Sequence, residues 1–269
     1  MYVNRVSFAT AIADDAVEES VSDLIGDLLA AWRMNGQIYG SEWPIHAHGE
    51  AFSTTVLCPE EQSLDDRLNN KYVNKAIARC EMKGLLLATE VLGKHIESLS
   101  PCSCSSPSAY VLFTTYVTLV SPIRCIDCFG PIALYRMEAT SSDEYSDVIS
   151  WQSNYQSCDT LQMNCAVLER AATRELSNIE SNLSKSGLEC CKTLANSSGR
   201  PFYYYLYRYY GRSLRTELER RCPGCGNEWR LTPRLHDLFD FKCDHCHLLS
   251  NIALDRRWLL ASRSEPTTS

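Results

Sequence analysis

Four of the fourteen cysteines in this 269-residue chain have a spacing that implies one specific chemistry. Cys222 and Cys225 form a C-x2-C pair, Cys243 and Cys246 form another, and 17 residues separate them. Two thiolates three positions apart can grip one ion through a tight turn. Zn–S bonds of about 2.3 Å then require all four sulfurs to converge on a tetrahedron. Pro223 and Gly224 suit the first turn, and Gly226 permits a left-handed backbone just after it. Four protein ligands leave no open position for a substrate, so the spacing predicts a structural zinc ribbon. His245 and His247 flank the last ligand and read as supporting or surface groups.

A second C-x2-C pair, Cys125 and Cys128, repeats the bite, with Cys158 and Cys165 downstream as partners for a second zinc. In a regular helix C-x6-C spans about 10 Å, so that pair shares an ion only if the helix breaks. A redox dithiol is the rival, but it needs a helix after the motif, and Phe129-Gly130-Pro131 follows instead. Plain buried thiols are the other rival. Cys190 and Cys191 read as packing residues in a helical stretch. Cys102 and Cys104 read as exposed thiols in the Ser-, Pro- and Cys-rich loop 98–108.

The approach to the ribbon is aromatic and basic. Tyr203, Tyr205, Tyr207 and Tyr209 alternate as one face of a strand would, and Arg208, Arg212, Arg215 and Arg230 run from there into the ribbon. Rings that stack on bases beside guanidinium groups that pair with phosphates are what a single-stranded nucleic acid requires. The competing reading is a tyrosine-rich strand packed between layers, its hydroxyls bonded at the edge. Charge is uneven in the same sense: residues 1–198 carry a net −11 and residues 199–269 a net +4. A polyanion would meet the C-terminal third, whereas the acidic body would suit a basic protein partner.

Several function classes find no support. The chain has no phosphate-binding glycine loop, no H-E-x-x-H and no G-x-S-x-G. Asp143, Glu144, Asp147 and Asp159 read as a charged loop, and the chain as non-catalytic. No apolar run approaches a membrane span. The N-terminal residues turn acidic at Asp14 and Asp15 without an apolar signal region, which predicts a cytoplasmic protein. In a reducing compartment a high cysteine count favours metal over disulfides.

The elements that must position these groups follow from periodicity. Tyr2 to Phe8 reads as a strand, and Asp15 to Met34 as a helix with Val17, Val21, Leu24, Ile25, Leu28 and Trp32 on one face. Asp14 or Asp15 caps it and Asn35-Gly36 ends it. Strands are expected at Gln37–Trp43 and Ala51–Cys58, a helix at Asp65–Lys83 and a strand at Leu85–Leu92. That β-α-β-β-α-β order is ferredoxin-like. Further strands are expected at Tyr110–Val120, Leu134–Met137 and Phe202–Tyr210. Residues 150–193 read as mostly helical, with apolar faces marked by Leu161, Leu168, Ala171, Ala172 and Leu176.

The segments AWRMNGQIYG (31–40), CPEEQSL (58–64), SPIRCIDCFGPIALYR (121–136), WQSNYQSCDTLQMNC (151–165), RPFYYYLYR (200–208), RCPGCGNEW (221–229) and FDFKCDHCHLLSN (239–251) resemble a proteobacterial family of zinc-ribbon-containing proteins labelled DUF2310. The resemblance implies a zinc ribbon on Cys222, Cys225, Cys243 and Cys246 and a nucleic-acid role inferred from that ribbon. It brings no substrate and no catalytic residue.

The expected protein is thus α+β. A ferredoxin-like domain spans 1–97, a linker 98–109, and a mixed α/β region with a cysteine knuckle 110–215. A zinc ribbon follows at 216–258 and a disordered tail at 259–269. Its expected function is non-catalytic zinc and nucleic-acid binding, on RNA or single strands. The alternatives are a protein-interaction module, inhibitor- or immunity-like, braced by zinc, and an enzyme with no recognised signature.

Overall fold

The computed structural model describes residues 1–10, 18–49, 51–137 and 145–253. The Asp14/Asp15 cap, Val17, Asp143, Glu144 and the tail 259–269 lie outside them. The chain divides into two compact units. One comprises the described residues of Met1–Ser106, Thr118–Cys125 and Gly130–Ile149, and the other comprises the rest.

The first unit carries β1 (Tyr2–Thr10), α1 (Glu18–Met34), β2 (His46–His48), β3 (Ala51–Cys58), α2 (Lys71–Met82) and β4 (Leu85–Lys94). Its sheet has the order β2-β3-β1-β4, with β1 antiparallel to both neighbours, which is the ferredoxin-like arrangement. One face of the sheet is apolar because residues two apart share a side. Val6, Phe8 and Val56 therefore meet Ile25, Leu28 and Trp32 of α1 and Val73 of α2 in one core. Asn35-Gly36 ends α1 as expected, Gly36 taking φ +75°. Asn70 starts α2 by accepting from the amides of Tyr72 and Val73, so the helix begins later than Asp65. The residues Asp66–Leu68 form a separate 3-10 turn.

The Gln37–Trp43 strand is not formed. Only Tyr39 bridges β3, at Leu57. Gln37 is fully buried and accepts from Asn35 Nδ2 (2.8 Å), while its own amide donates to Ser63 O and Asn69 Oδ1 (both 2.9 Å). A buried amide that satisfied by loop groups replaces a ladder, and the second strand is the short β2 beyond Pro44.

The second sheet has the order β6-β5-β7-β10-β9-β8, from β5 (Tyr110–Leu112), β6 (Ile123–Cys125), β7 (Phe202–Tyr205), β8 (Arg230–Leu235), β9 (Phe239–Cys243) and β10 (Leu248–Ser250). Strands β5 and β10 flank β7 in parallel, and β9 is antiparallel to both β8 and β10. Along the chain between β6 and the ribbon lie α3 (Ser146–Asn164), α4 (Glu169–Ser177) and α5 (Asn182–Ser198), with the short α6 (Leu214–Leu218) leading to the ribbon. Asp147 and Asp159 lie in α3 rather than in a loop. The close approach of α5 to β7 depends on Gly187: a Cβ there would lie 2.6 Å from Trp151 Nε1 and closer still to the Tyr204 ring.

Three further expectations shorten or change. The strand at Tyr110–Val120 stops at Leu112. Residues 134–136 form a 3-10 turn rather than a strand, and Phe202–Tyr210 is extended in the sheet only to Tyr205. Leu168 is not on an apolar face. It sits exposed at the start of α4 with φ +54°. Among the described residues no helix is long and apolar enough to cross a membrane.

Candidate metal centre

Cys222 and Cys225 sit in a hairpin closed by two backbone bonds. The Gly226 amide donates to Cys222 O (2.8 Å) and the Cys222 amide to Asn227 O (3.0 Å). Gly226 takes φ +74°, the conformation its lack of a Cβ favours. Cys243 ends β9 and Cys246 lies in the turn to β10, where Cys243 pairs with Leu248. The Cys246 amide points at Cys243 Sγ, at 3.4 Å. All four sulfurs lie within 4.8 Å of one another. The Cys225 and Cys243 sulfurs are 3.6 Å apart, close to the edge of about 3.8 Å that Zn–S bonds of 2.3 Å give a tetrahedron. Gly224 keeps the space open, since a Cβ there would stand 2.7 Å from Cys246 Sγ. The donors therefore fit one thiophilic ion in a closed shell.

The thiols are unequal. The Asn227 backbone and the neighbouring thiols hold Cys225 below the usual thiol range. Burial pushes Cys243 and Cys246 up. A cation among them would reverse that burial penalty, because a coordinating thiol is deprotonated outright.

Behind the sulfurs the ribbon has a packed interior. The Arg220 guanidinium lies over the rings of Trp229 (4.9 Å) and Phe241 (4.5 Å), and Trp229 Nε1 donates to Arg220 O (2.9 Å). Burial pushes Arg220 down to about 10. Both His245 and His247 are exposed, and neither joins the sulfur group.

A second group of four cysteines also brings its sulfurs within 4.8 Å of one another, but with a different membership from the one the spacing suggested. It comprises Cys102, Cys104, Cys125 and Cys128. Neither Cys158 nor Cys165 belongs to it. Cys158 is half-buried in α3, and Cys165 lies just past the helix end at φ +51°, its thiol donating to Gln162 O (3.2 Å). The helix runs unbroken from one to within a residue of the other, which keeps them apart as its rise demands. Cys102 and Cys104 were obscured by their loop composition. The usable signal was the repeated pattern of one close pair followed by another some twenty residues on.

The aromatic platform is also redistributed. Tyr203 and Tyr205 are each only 5% exposed, because β7 is a central strand covered on both faces. Tyr203 donates to Asp244 (2.6 Å) and Tyr205 to Asn251 (3.0 Å), so neither ring can receive a base. Arg208 is committed too. It forks onto Glu217 (2.7 Å), a carboxylate 1% exposed that Arg220 also faces at 3.7 Å. The rings left at the surface are Tyr207 and Tyr209, both partly exposed, and Tyr210, which is exposed. Their successive ring separations are 6.2 and 4.7 Å. Arg212, Arg215 and Arg230 are exposed, Arg215 sharing its charge with Glu219 at 3.0 Å.

Three family models match the chain: residues 1–93 a domain of unknown function labelled DUF8589, residues 104–207 one labelled DUF2310, and residues 211–256 one labelled DUF8594. A Haemophilus influenzae protein described as an uncharacterized protein is 38% identical over 258 residues, covering 94% of this chain and 98% of the relative. A second protein of that organism, described in the same way, is 42% identical over 164 residues, covering 61% of this chain and 81% of the relative. Among solved structures, a putative antibiotic biosynthesis monooxygenase from Deinococcus radiodurans aligns at 14% identity with a TM-score of 0.25, covering 37% of this chain and all of that one.

Proposed function

The chain belongs to the DUF2310 family, and we propose that it is a non-catalytic zinc protein that binds RNA or single-stranded nucleic acid through its ribbon and the segment leading to it. In this reading zinc on Cys222, Cys225, Cys243 and Cys246 supplies folding free energy to hairpins too small to hold themselves. The observation that carries the nucleic-acid part is the exposed set Arg212, Arg215 and Arg230, following the surface tyrosines Tyr207, Tyr209 and Tyr210 in one basic stretch. Guanidinium groups neutralise phosphates and exposed rings stack on bases, Tyr210 presenting its ring while its hydroxyl donates to Glu169. Tyr203, Tyr205 and Arg208 have structural work and take no part. The protein acts in the cytoplasm, where thiols stay reduced and available to metal.

Anisotropy of a labelled single-stranded RNA of mixed sequence, titrated at several salt concentrations, tests this. Replacing Arg212, Arg215 and Arg230 together by Ala should weaken binding and flatten the slope of log K against log salt by about 2, since each single-strand phosphate contact contributes about 0.7. An unchanged slope removes these arginines from the interface. Failure of the wild-type chain to bind, with a basic protein co-purifying instead, would move the function to a protein-interaction module braced by zinc, consistent with the net −11 of residues 1–198.

A further inference from the structure

We propose that Cys102, Cys104, Cys125 and Cys128 form a second zinc centre, independent of the ribbon. Their four sulfurs lie within 4.8 Å of one another, as the ribbon's do. Proximity alone would be weak, but the backbone carries a second and independent sign.

The three C-x2-C segments share one conformation. In each, the residue after the second cysteine is left-handed: Gly226 at φ +74°, His247 at +50° and Phe129 at +59°. In each, the first cysteine pairs across the hairpin with the residue five positions on. Cys222 donates to Asn227 O (3.0 Å), Cys125 donates to Gly130 O (3.0 Å), and Cys243 is registered opposite Leu248. That geometry turns both sulfurs of a pair to the same side. Two of the three hairpins build the ribbon site, and the third repeats their shape at Cys125–Gly130. Phe129 adopts it without the freedom of glycine, at a cost of about 1 kcal/mol or more. Such strain persists only where the surroundings over-determine it. Here Phe129 stacks on His236 (5.1 Å) and meets Phe113 and Phe239 edge-on. Ile126 N donates to Ala109 O (3.0 Å), and the Asp127 carboxylate accepts from the Ser108 amide (2.7 Å) and from its hydroxyl.

The other two ligands are delivered by a fitted backbone contact. Cys102 N donates to Pro131 O (3.0 Å), and a Cβ on Gly130 would stand 2.7 Å from Cys102 N. Only glycine admits the loop so close to the knuckle. The Cys104 amide then points at Cys102 Sγ at 3.4 Å, matching the distance from the Cys246 amide to Cys243 Sγ. Each thiol would release its proton to solvent as its bond to Zn²⁺ forms, leaving a closed tetrahedral shell with no open position.

The experiment uses the full chain purified without chelator. Elemental analysis should find two zinc ions in the wild type and one in each of Cys128→Ser and Cys225→Ser. One zinc in the wild type, retained by Cys128→Ser and lost by Cys225→Ser, overturns the second centre and leaves the ribbon standing. The reverse pattern supports the second centre and sinks the ribbon. A residue-specific readout on the wild type covers the case in which Cys128→Ser fails to fold. Cys128 is exposed, so iodoacetamide should modify it about tenfold or more faster once a chelator has removed the metal. Equal rates with and without chelator would overturn the proposal, as would a disulfide involving Cys128 in the protein as purified.

Discussion

At the scale of single residues, the chemistry is decided by what each side chain can reach. Cys225 stands at a ribbon corner where one missing sulfur leaves three. Cys225→Ser should lose the ribbon zinc and raise amide hydrogen exchange from Cys222 to Leu249, with little change in β1–β4. Arg208 illustrates the opposite outcome for a residue read as functional. Its fork on buried Glu217 makes it structural, so Arg208→Ala should destabilise by about 3 kcal/mol, the cost of leaving a buried charge short of a partner, measured by denaturant unfolding. Asp159 gives a pH test. Burial raises its carboxyl above the ordinary range, against the pull of the Tyr116 amide that it accepts at 2.8 Å. A raised folded-state value means the ionised form weakens the fold at neutral pH, and that the loss is recovered as pH falls through it. Asp159→Asn, which keeps an acceptor for Tyr116, should raise the thermal midpoint at pH 7, and the gain should vanish in acid below the ordinary carboxylate range. The convergence of Cys222, Cys225, Cys243 and Cys246 was legible because two residues of spacing dictate each pair's bite locally. That of Cys102 and Cys104 was harder to read, because beyond the repeat of close pairs it depends on a backbone contact with Gly130 that local spacing does not encode.

Among the elements, β1 and α1–α2 were legible for a similar reason: one buried face writes a period of two or of 3.6 into the sequence. That signal fails where both faces are covered. β7 reads Phe-Tyr-Tyr-Tyr and is buried at every position, so its alternation of rings marks no solvent side. It fails again on α3, whose buried stripe of Val148, Trp151 and Tyr155 continues into Asp159 and Gln162. Polar residues on an inward face erase the period. The Gln37–Trp43 segment shows a third case, in which buried side-chain hydrogen bonds take the place of strand pairing. The packing of α5 on β7 can be probed directly. Gly187→Ala adds a methyl where Tyr204 and Trp151 already sit, and should destabilise by about 1–3 kcal/mol as those rings are displaced, read as a lower denaturation midpoint with unchanged zinc content.

For the molecule as a whole, charge is divided by sign along the chain. The acidic residues 1–198 and the basic residues 199–269 predict that a polyanion is met by the C-terminal third, with salt sensitivity to match. The sheet also ties distant parts of the chain together. β7 is flanked in parallel by β5, which pairs residue 110 with 202, and by β10, which pairs residue 204 with 248. Parallel neighbours so far apart in sequence close large loops before they gain any contact, and such pairings form slowly. On a ribosome, therefore, β7 must wait with one edge unpaired until Leu248 and Leu249 have emerged. Those two residues lie two and three positions past Cys246, the last of the ribbon cysteines. If the ribbon takes zinc as proposed, metal capture and completion of the sheet fall at the same late moment of synthesis, and chains made without zinc should expose an open β7 edge, the kind of surface on which aggregation begins.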